Sequence, residues 1–184
     1  MTDQLDRFPD QSAALSTAAR ECRDGITERK GSLPAPYGLL IHSPAVANAF
    51  DSLSTALWQG DLPKRITEGL FLVNAQRCRC RYQWVRHVDK AQDAGLETSI
   101  IESLAIGKEP SKDADPEFNA AWQLATALER PGPVDDELYE LLQRNFGSKA
   151  IAELSTFCGF ASIVSNALRV RQPDVSTEHN VAPF

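Results

Sequence analysis

Glu68-Gly69-Leu70-Phe71-Leu72-Val73-Asn74-Ala75-Gln76-Arg77-Cys78-Arg79-Cys80-Arg81-Tyr82-Gln83-Trp84-Val85-Arg86-His87 is the stretch on which the reading of this chain turns. It holds a carboxylate, two thiols and one of the three histidines, among largely helical residues. Two helices meeting near Cys78 account for it. If Cys80 opens the second helix, Gln83 and His87 follow at i+3 and i+7, on one stripe. Glu68 stands twelve residues ahead of Cys80. On an unbroken helix it would point away from that stripe, but a bend near Cys78 folds it back. A thiol in a first helical turn has its pKa lowered by unpaired backbone N–H groups and the helix dipole.

Working outward, the apolar run Leu70-Phe71-Leu72-Val73 marks a helix buried on most sides, so Glu68 is a carboxylate in need of a partner. Asp61-Leu62-Pro63 opens that helix. Before it, Ser43-Pro44 predicts a helix start, with Val46, Phe50, Leu53 and Leu57 inward to about Trp58 and Gly60 closing it. Leu33 to Gly38 reads as an extended or turn segment because of its prolines. An earlier helix runs from about Asp10 to Arg23, with Leu15, Ala18, Ala19 and Cys22 on one face and Gly25 ending it.

After His87 the helix continues to Ala94, with Gly95 as a left-handed cap. Ser99-Ile100-Ile101-Glu102 has the form of a capping box for a short helix to Ala105. A polar loop, 107–114, leads to Asp115-Pro116 and a helix to about Glu129, with Phe118, Ala121, Trp122, Ala125 and Leu128 inward. Leu138, Leu141 and Leu142 mark the next helix, capped by Gly147. The longest pattern runs from Ser148 to about Val170, facing inward with Ile151, Leu154, Phe157, Cys158, Ala161, Val164, Ser165 and Leu168. No strand pattern or internal repeat competes, so the fold class is all-α. The expected organisation is an N-terminal, partly helical extension over 1–32, a helical domain over 33–172 and a polar tail over 173–184.

At 184 residues the chain can bury a core as one domain. Its net charge of −6 argues against a general nucleic-acid binder. No apolar run is read as approaching the roughly 20 residues that span a bilayer, and Met1 to Asp6 is too acidic and polar for a secretory signal. Cys22, Cys78, Cys80 and Cys158 are scattered, which favours reduced thiols in a cytoplasmic setting.

Glu68, Cys80 and His87 admit two readings. In one, His87 is a general acid/base, and Glu68 orients the imidazole or accepts the proton itself. In the other, a buried Glu–His hydrogen bond locks two core helices and Cys80 is a small hydrophobe. Cys78, Cys80 and His87 also supply three metal-ligand types, but neither a Cys-x-x-Cys pair nor a second histidine completes a zinc site, and no metal is expected. The arginines of this corner could hold a substrate carboxylate or make solvent-facing ion pairs, with Arg81 and Arg86 the nearest to the stripe.

The spacing of Glu68, Cys80 and His87 resembles Glu-x11-Cys-x-x-Cys-x3-His of the alkylhydroperoxidase D-like (AhpD-like) and carboxymuconolactone decarboxylase superfamily. Tyr82-Gln83-Trp84-Val85-Arg86-His87-Val88, followed by Ala94-Gly95-Leu96, is more similar to the branch carrying Tyr-Glu-Trp-x-x-His. The resemblance covers about residues 33 to 170. Gln83 departs from it, standing where the hydroperoxidase branch has its second cysteine.

The resemblance implies the all-helical AhpD-like fold, a homo-oligomer (trimer or hexamer) and a cofactor-independent lyase of the carboxymuconolactone decarboxylase type. Such an enzyme acts on a small carboxylated lactone or related acid. Glu68, Cys80 and His87 would be catalytic, and Gln83, Trp84, Tyr82 and Arg81 would bind substrate. One alternative is a peroxiredoxin-type oxidoreductase using Cys80, reduced by an external thiol. Another is a non-catalytic oligomeric binding protein.

Overall fold

A computed structural model describes residues 6–8, 15–175 and 180–184. Among them lie nine helices and no strand. The first part of the helix expected from Asp10, and His179 in the tail, fall outside the described residues.

Two helices carry the stretch that decided the reading. α4 (Lys64–Cys78) is buried at every position from Ile66 to Ala75, as its unbroken apolar run requires. It packs against α5 (Arg81–Asp93), α6 (Thr98–Ala105), α7 (Pro116–Ala127) and α9 (Gly147–Arg171), and is the hub of the bundle. The bend falls where expected. Arg79 adopts a left-handed conformation, φ 51° and ψ 40°. Its N–H donates to the Gln76 carbonyl and the Cys80 N–H to the Ala75 carbonyl, the two-bond pattern of a Schellman turn. A non-glycine residue there costs about 1–2 kcal/mol, and the burial of α4 and α5 against each other outweighs it.

α1 (Thr17–Lys30) starts at Ser16, whose hydroxyl accepts from the Ala19 N–H. It does not end at Gly25. A mid-helix glycine costs about 1 kcal/mol, while burying Ile26 beyond it gains about 1.5–3 kcal/mol. The helix therefore continues to the left-handed Gly31, φ 76°. Through Cys22 and Ile26 it packs on α3 (Pro44–Trp58) and joins the common core. In α3 the inward face is Ala47, Phe50, Ser54 and Leu57, and Val46 is 51% exposed. The Ser99 capping box is absent: Glu97 precedes the first turn of α6, and the Ser99 hydroxyl turns back onto its carboxyl. α7 begins as read, with the Asp115 carboxyl accepting from the Phe118 N–H, and Leu128 at its end is exposed.

The short α2 (Tyr37–Leu40) lies between the proline segment and α3, and α8 (Asp136–Asn145) leads through Gly147 into α9. α9 is long and apolar enough to cross a bilayer by length and composition alone, which the reading of the apolar runs did not anticipate. It is placed as the central core helix, against α2, α3, α4, α5, α7 and α8. The end of the tail is not merely polar. The Phe184 ring packs edge-on to Trp84 at 5.7 Å, and the Arg79 guanidinium sits 5.3 Å above it.

Candidate functional site

α4 and α5 bring Glu68 and His87 together. Nδ1 of His87 lies 2.6 Å from Oε2 of Glu68, and both residues are largely buried. Phe71, one turn beyond Glu68 on α4, stacks its ring on the imidazole at 4.1 Å between centroids, tilted 23°. A carboxyl edge and an aromatic face thus fix two of the ring's degrees of freedom. Burial pushes the His87 pKa below its ordinary value; the Glu68 hydrogen bond and charge pull it back up, and Lys90 and Arg86 push it down. That direction favours the neutral ring. It donates Nδ1–H to Glu68, which leaves the Nε2 lone pair as its basic site.

His87 lines a cavity of about 470 Å³. Tyr37, Phe50, Trp58, Phe71, Tyr82 and Phe160 give it aromatic walls, and Lys30, Arg86 and Lys90 add cations. A group apart from the stretch shapes this cavity, and sequence reasoning missed it. Asp51, buried on α3, accepts from the Tyr37 hydroxyl at 2.9 Å and from Arg29 at 2.8 Å, and pairs with Lys30 at 2.9 Å. Burial raises its pKa, but the hydrogen bonds from Lys30, Arg29 and Tyr37 outweigh that and leave it below the usual value. Burial and the Asp51 contacts push the Tyr37 phenol well above its usual range. Asp51 thereby orders the Tyr37 and Lys30 wall of the cavity from behind. The available signal was an aspartate on the apolar face of a predicted helix.

Cys80 opens α5 as its cap, with non-helical backbone, φ −88° and ψ 88°, and its carbonyl accepts from the Trp84 N–H. Its side chain is 3% exposed and borders a separate crevice, together with Cys78, Arg79, Arg81 and Tyr82. Its pKa is not lowered. Burial raises it, and the Gln83 N–H and Ser165 hydroxyl only partly counteract this. All four cysteines are free thiols. Cys158, on α9, lines a smaller pocket beside Arg77, and burial pushes its thiol up to about 11.

Gln83, expected to hold a substrate, borders the His87 cavity but is 0% exposed, with its amide engaged by the protein itself. Its Nε2 donates to the Phe71 carbonyl at 3.2 Å, and its Oε1 contacts the Ser165 hydroxyl. Ser165 also meets Oδ1 of Asn74 at 2.6 Å, and the Asn74 amide nitrogen lies 3.1 Å from the Ser162 hydroxyl. The Phe71 carbonyl fixes the orientation of Gln83, and the Ser165 hydroxyl lies between the Gln83 and Asn74 oxygens. Asn74 donates to the Ser162 hydroxyl, whose own proton goes to the Cys158 carbonyl. This polar clasp ties α4, α5 and α9 together.

The remaining expected ligands divide. Tyr82 borders both the His87 cavity and the crevice, so it forms part of the partition between them. Arg81 borders only the crevice, and Arg86 the His87 cavity. Trp84 is buried in the core against Phe184 and lines neither. Arg77 bridges to α7 through the Ala125 carbonyl, Thr126 and Glu129. His42, in the turn before α3, contacts the Phe8 ring. Among the described residues no cluster of three or more His, Cys, Asp or Glu side chains is placed to hold a metal ion.

No protein-family model matches the sequence, and no curated protein matches it. Solved structures do. A structure described as the alkylhydroperoxidase AhpD core, an uncharacterized peroxidase-related protein from Ralstonia eutropha JMP134, aligns with a TM-score of 0.69 at 19% identity, covering 91% of this chain and 90% of that one. The debrominase Bmp8 with 2,3,4-tribromopyrrole aligns with a TM-score of 0.65 at 16% identity, covering 99% of this chain and 95% of that one. Its apo form gives 0.65 and 16%, over 100% of this chain and 96% of that one. The chain has the AhpD-like helical fold, and the likeness reaches beyond residues 33 to 170.

Proposed function

We propose that the chain is a cofactor-independent acid–base enzyme of the carboxymuconolactone decarboxylase type, acting on a small carboxylated lactone or related acid. The observation that carries this reading is His87 held at Nδ1 by Glu68 on the wall of an aromatic, cation-bearing cavity. Aromatic walls suit a flat, unsaturated ring, and Lys30, Arg86 and Lys90 attract its carboxylate. An anion arriving beside the imidazole favours the imidazolium, so proton uptake accompanies binding. When the carbon–carbon bond breaks, carbon dioxide leaves and the electron pair stays on the ring, delocalised into the lactone carbonyl. His87 delivers one proton to that carbon through Nε2, and solvent replaces it. Glu68 steadies the charged imidazolium throughout. This route gives Cys80 no step.

The test is release of carbon dioxide from a panel of carboxylated lactones by the pure protein. Turnover that falls about 10²–10⁴-fold in His87→Ala supports the assignment. Turnover that survives that substitution overturns it, as does peroxide consumption dependent on Cys80 with no lactone turned over. The peroxidase alternative finds little support in a buried thiol with a raised pKa. The trimer or hexamer is carried forward as part of the same proposal, to be measured by light scattering on the eluting protein.

A further inference from the structure

The arginines of this acidic chain are not distributed evenly between paired and unpaired states. Arg23, Arg29, Arg65, Arg77, Arg144 and Arg171 each sit within ion-pair distance of a carboxylate. Among the described residues Arg7, Arg20, Arg79, Arg81, Arg130 and Arg169 have no carboxylate at ion-pair distance, and four of the six, Arg7, Arg79, Arg81 and Arg169, border one crevice of about 680 Å³. The crevice lies at the N-terminal end of α5, bordered there by Cys80, Arg81 and Tyr82, and on its other side by Asn166 and Arg169 of α9 and by Gln172 and Pro173. Within the bordering segments 6–8, 78–82 and 166–175 the acidic residues are Asp174 and Asp6, and Asp6 pairs with Arg171. Arg79 is further steadied over the Phe184 ring.

Four guanidinium groups around one hollow repel one another, and a chain carrying 25 acidic residues had many ways to neutralise them. A helix N-terminus adds positive potential of its own. The hollow falls within the roughly 300–1,000 Å³ of small-molecule sites, which is larger than a lone inorganic ion requires. A single carboxylate would leave most of this charge unbalanced. Planar guanidinium forks suit the tetrahedral oxygens of phosphoryl groups, and a polyphosphate moiety matches the charge.

We propose that this crevice is a second ligand site, separate from the His87 cavity, for a small molecule bearing a di- or polyphosphate group. Arg81 and Arg169 are its principal forks, from α5 and α9. Tyr82, which borders both hollows, stands between this ligand and whatever occupies the cavity.

The experiment is calorimetric titration of the full chain with inorganic pyrophosphate, and with orthophosphate, at one fixed ionic strength. Pyrophosphate is expected to bind saturably, once per chain and more tightly than orthophosphate. Arg81→Gln and Arg169→Gln should each weaken it about tenfold or more. Arg130→Gln, at an exposed position outside the crevice, and His87→Ala, in the other cavity, should leave it unchanged. Circular dichroism establishes that each variant is folded. Absence of saturable binding overturns the proposal, and so does binding that survives the double replacement Arg81→Gln with Arg169→Gln.

Discussion

Replacing Gln83 separates the position the sequence assigned to it from the one it occupies. Gln83→Met keeps the length of the side chain and removes its amide. The Phe71 carbonyl loses the Nε2 donor but belongs to a helix whose backbone still serves it. The Ser165 hydroxyl loses one of its two acceptors in a site without water access, and a buried polar group left unpaired costs about 1–3 kcal/mol. Asn74 Oδ1 remains to accept from that hydroxyl, which places the expected cost at about 1–2 kcal/mol. Gln83→Ala adds the lost packing of a fully buried side chain, for a total of about 2–4 kcal/mol. Urea denaturation with linear extrapolation resolves both steps. The turnover of any substrate found for the protein should keep its KM in Gln83→Met. A Gln83→Met protein as stable as the original, with a raised KM, would refute the clasp and restore Gln83 as a substrate ligand.

Three further outcomes follow from the same geometry. In Glu68→Gln the His87 pKa, followed by imidazole NMR with His87→Ala to assign the signal, should fall further, because the groups that pull it up are removed while burial remains. A rise or no change would sever the pair. His87 also couples to stability. Its folded pKa is lowered, so the unfolded chain binds the extra proton and stability declines as pH drops below about 6.5; His87→Phe should remove that decline. Asp51 has a lowered folded pKa, so its contribution is complete above about pH 4 and is lost as pH falls through the folded value. Asp51→Asn should be less stable at neutral pH by about 1–3 kcal/mol and should lack that acid limb in a denaturation series. Finally, Cys80 should alkylate slowly at neutral pH and faster as pH rises above the usual thiol range; rapid labelling at pH 7 would reinstate thiolate chemistry.

The helices were legible because α4 and α9 announce themselves by apolar pattern, and the corner between α4 and α5 by the distance from Glu68 to His87. What escaped the sequence depended on geometry finer than a helical period. Cys80 opens its helix as expected, yet it borders another hollow than the one His87 lines. Gln83 has the chemistry of a ligand, and only the placement of Phe71, Ser165 and Asn74 shows its amide already taken. Gly25 carries the residue type of a stop, yet Ile26 beyond it is worth more buried than the glycine costs. Asp51 lies 17 positions before Glu68, and no spacing rule connects it to the cavity it braces.

The two hollows flanking the first turns of α5 are therefore consequences of one local event, the turn at Arg79. Because that residue bends left-handed, Cys80 and Arg81 face the crevice beside α9 while Arg86 and His87, further along the same helix, reach the aromatic cavity. Gln83 lies between them on the same helix, and its amide ties this partition to α4 and α9. The imidazole held by Glu68 lies on the cavity side of α5, and it is there that the proposed acid–base chemistry would run.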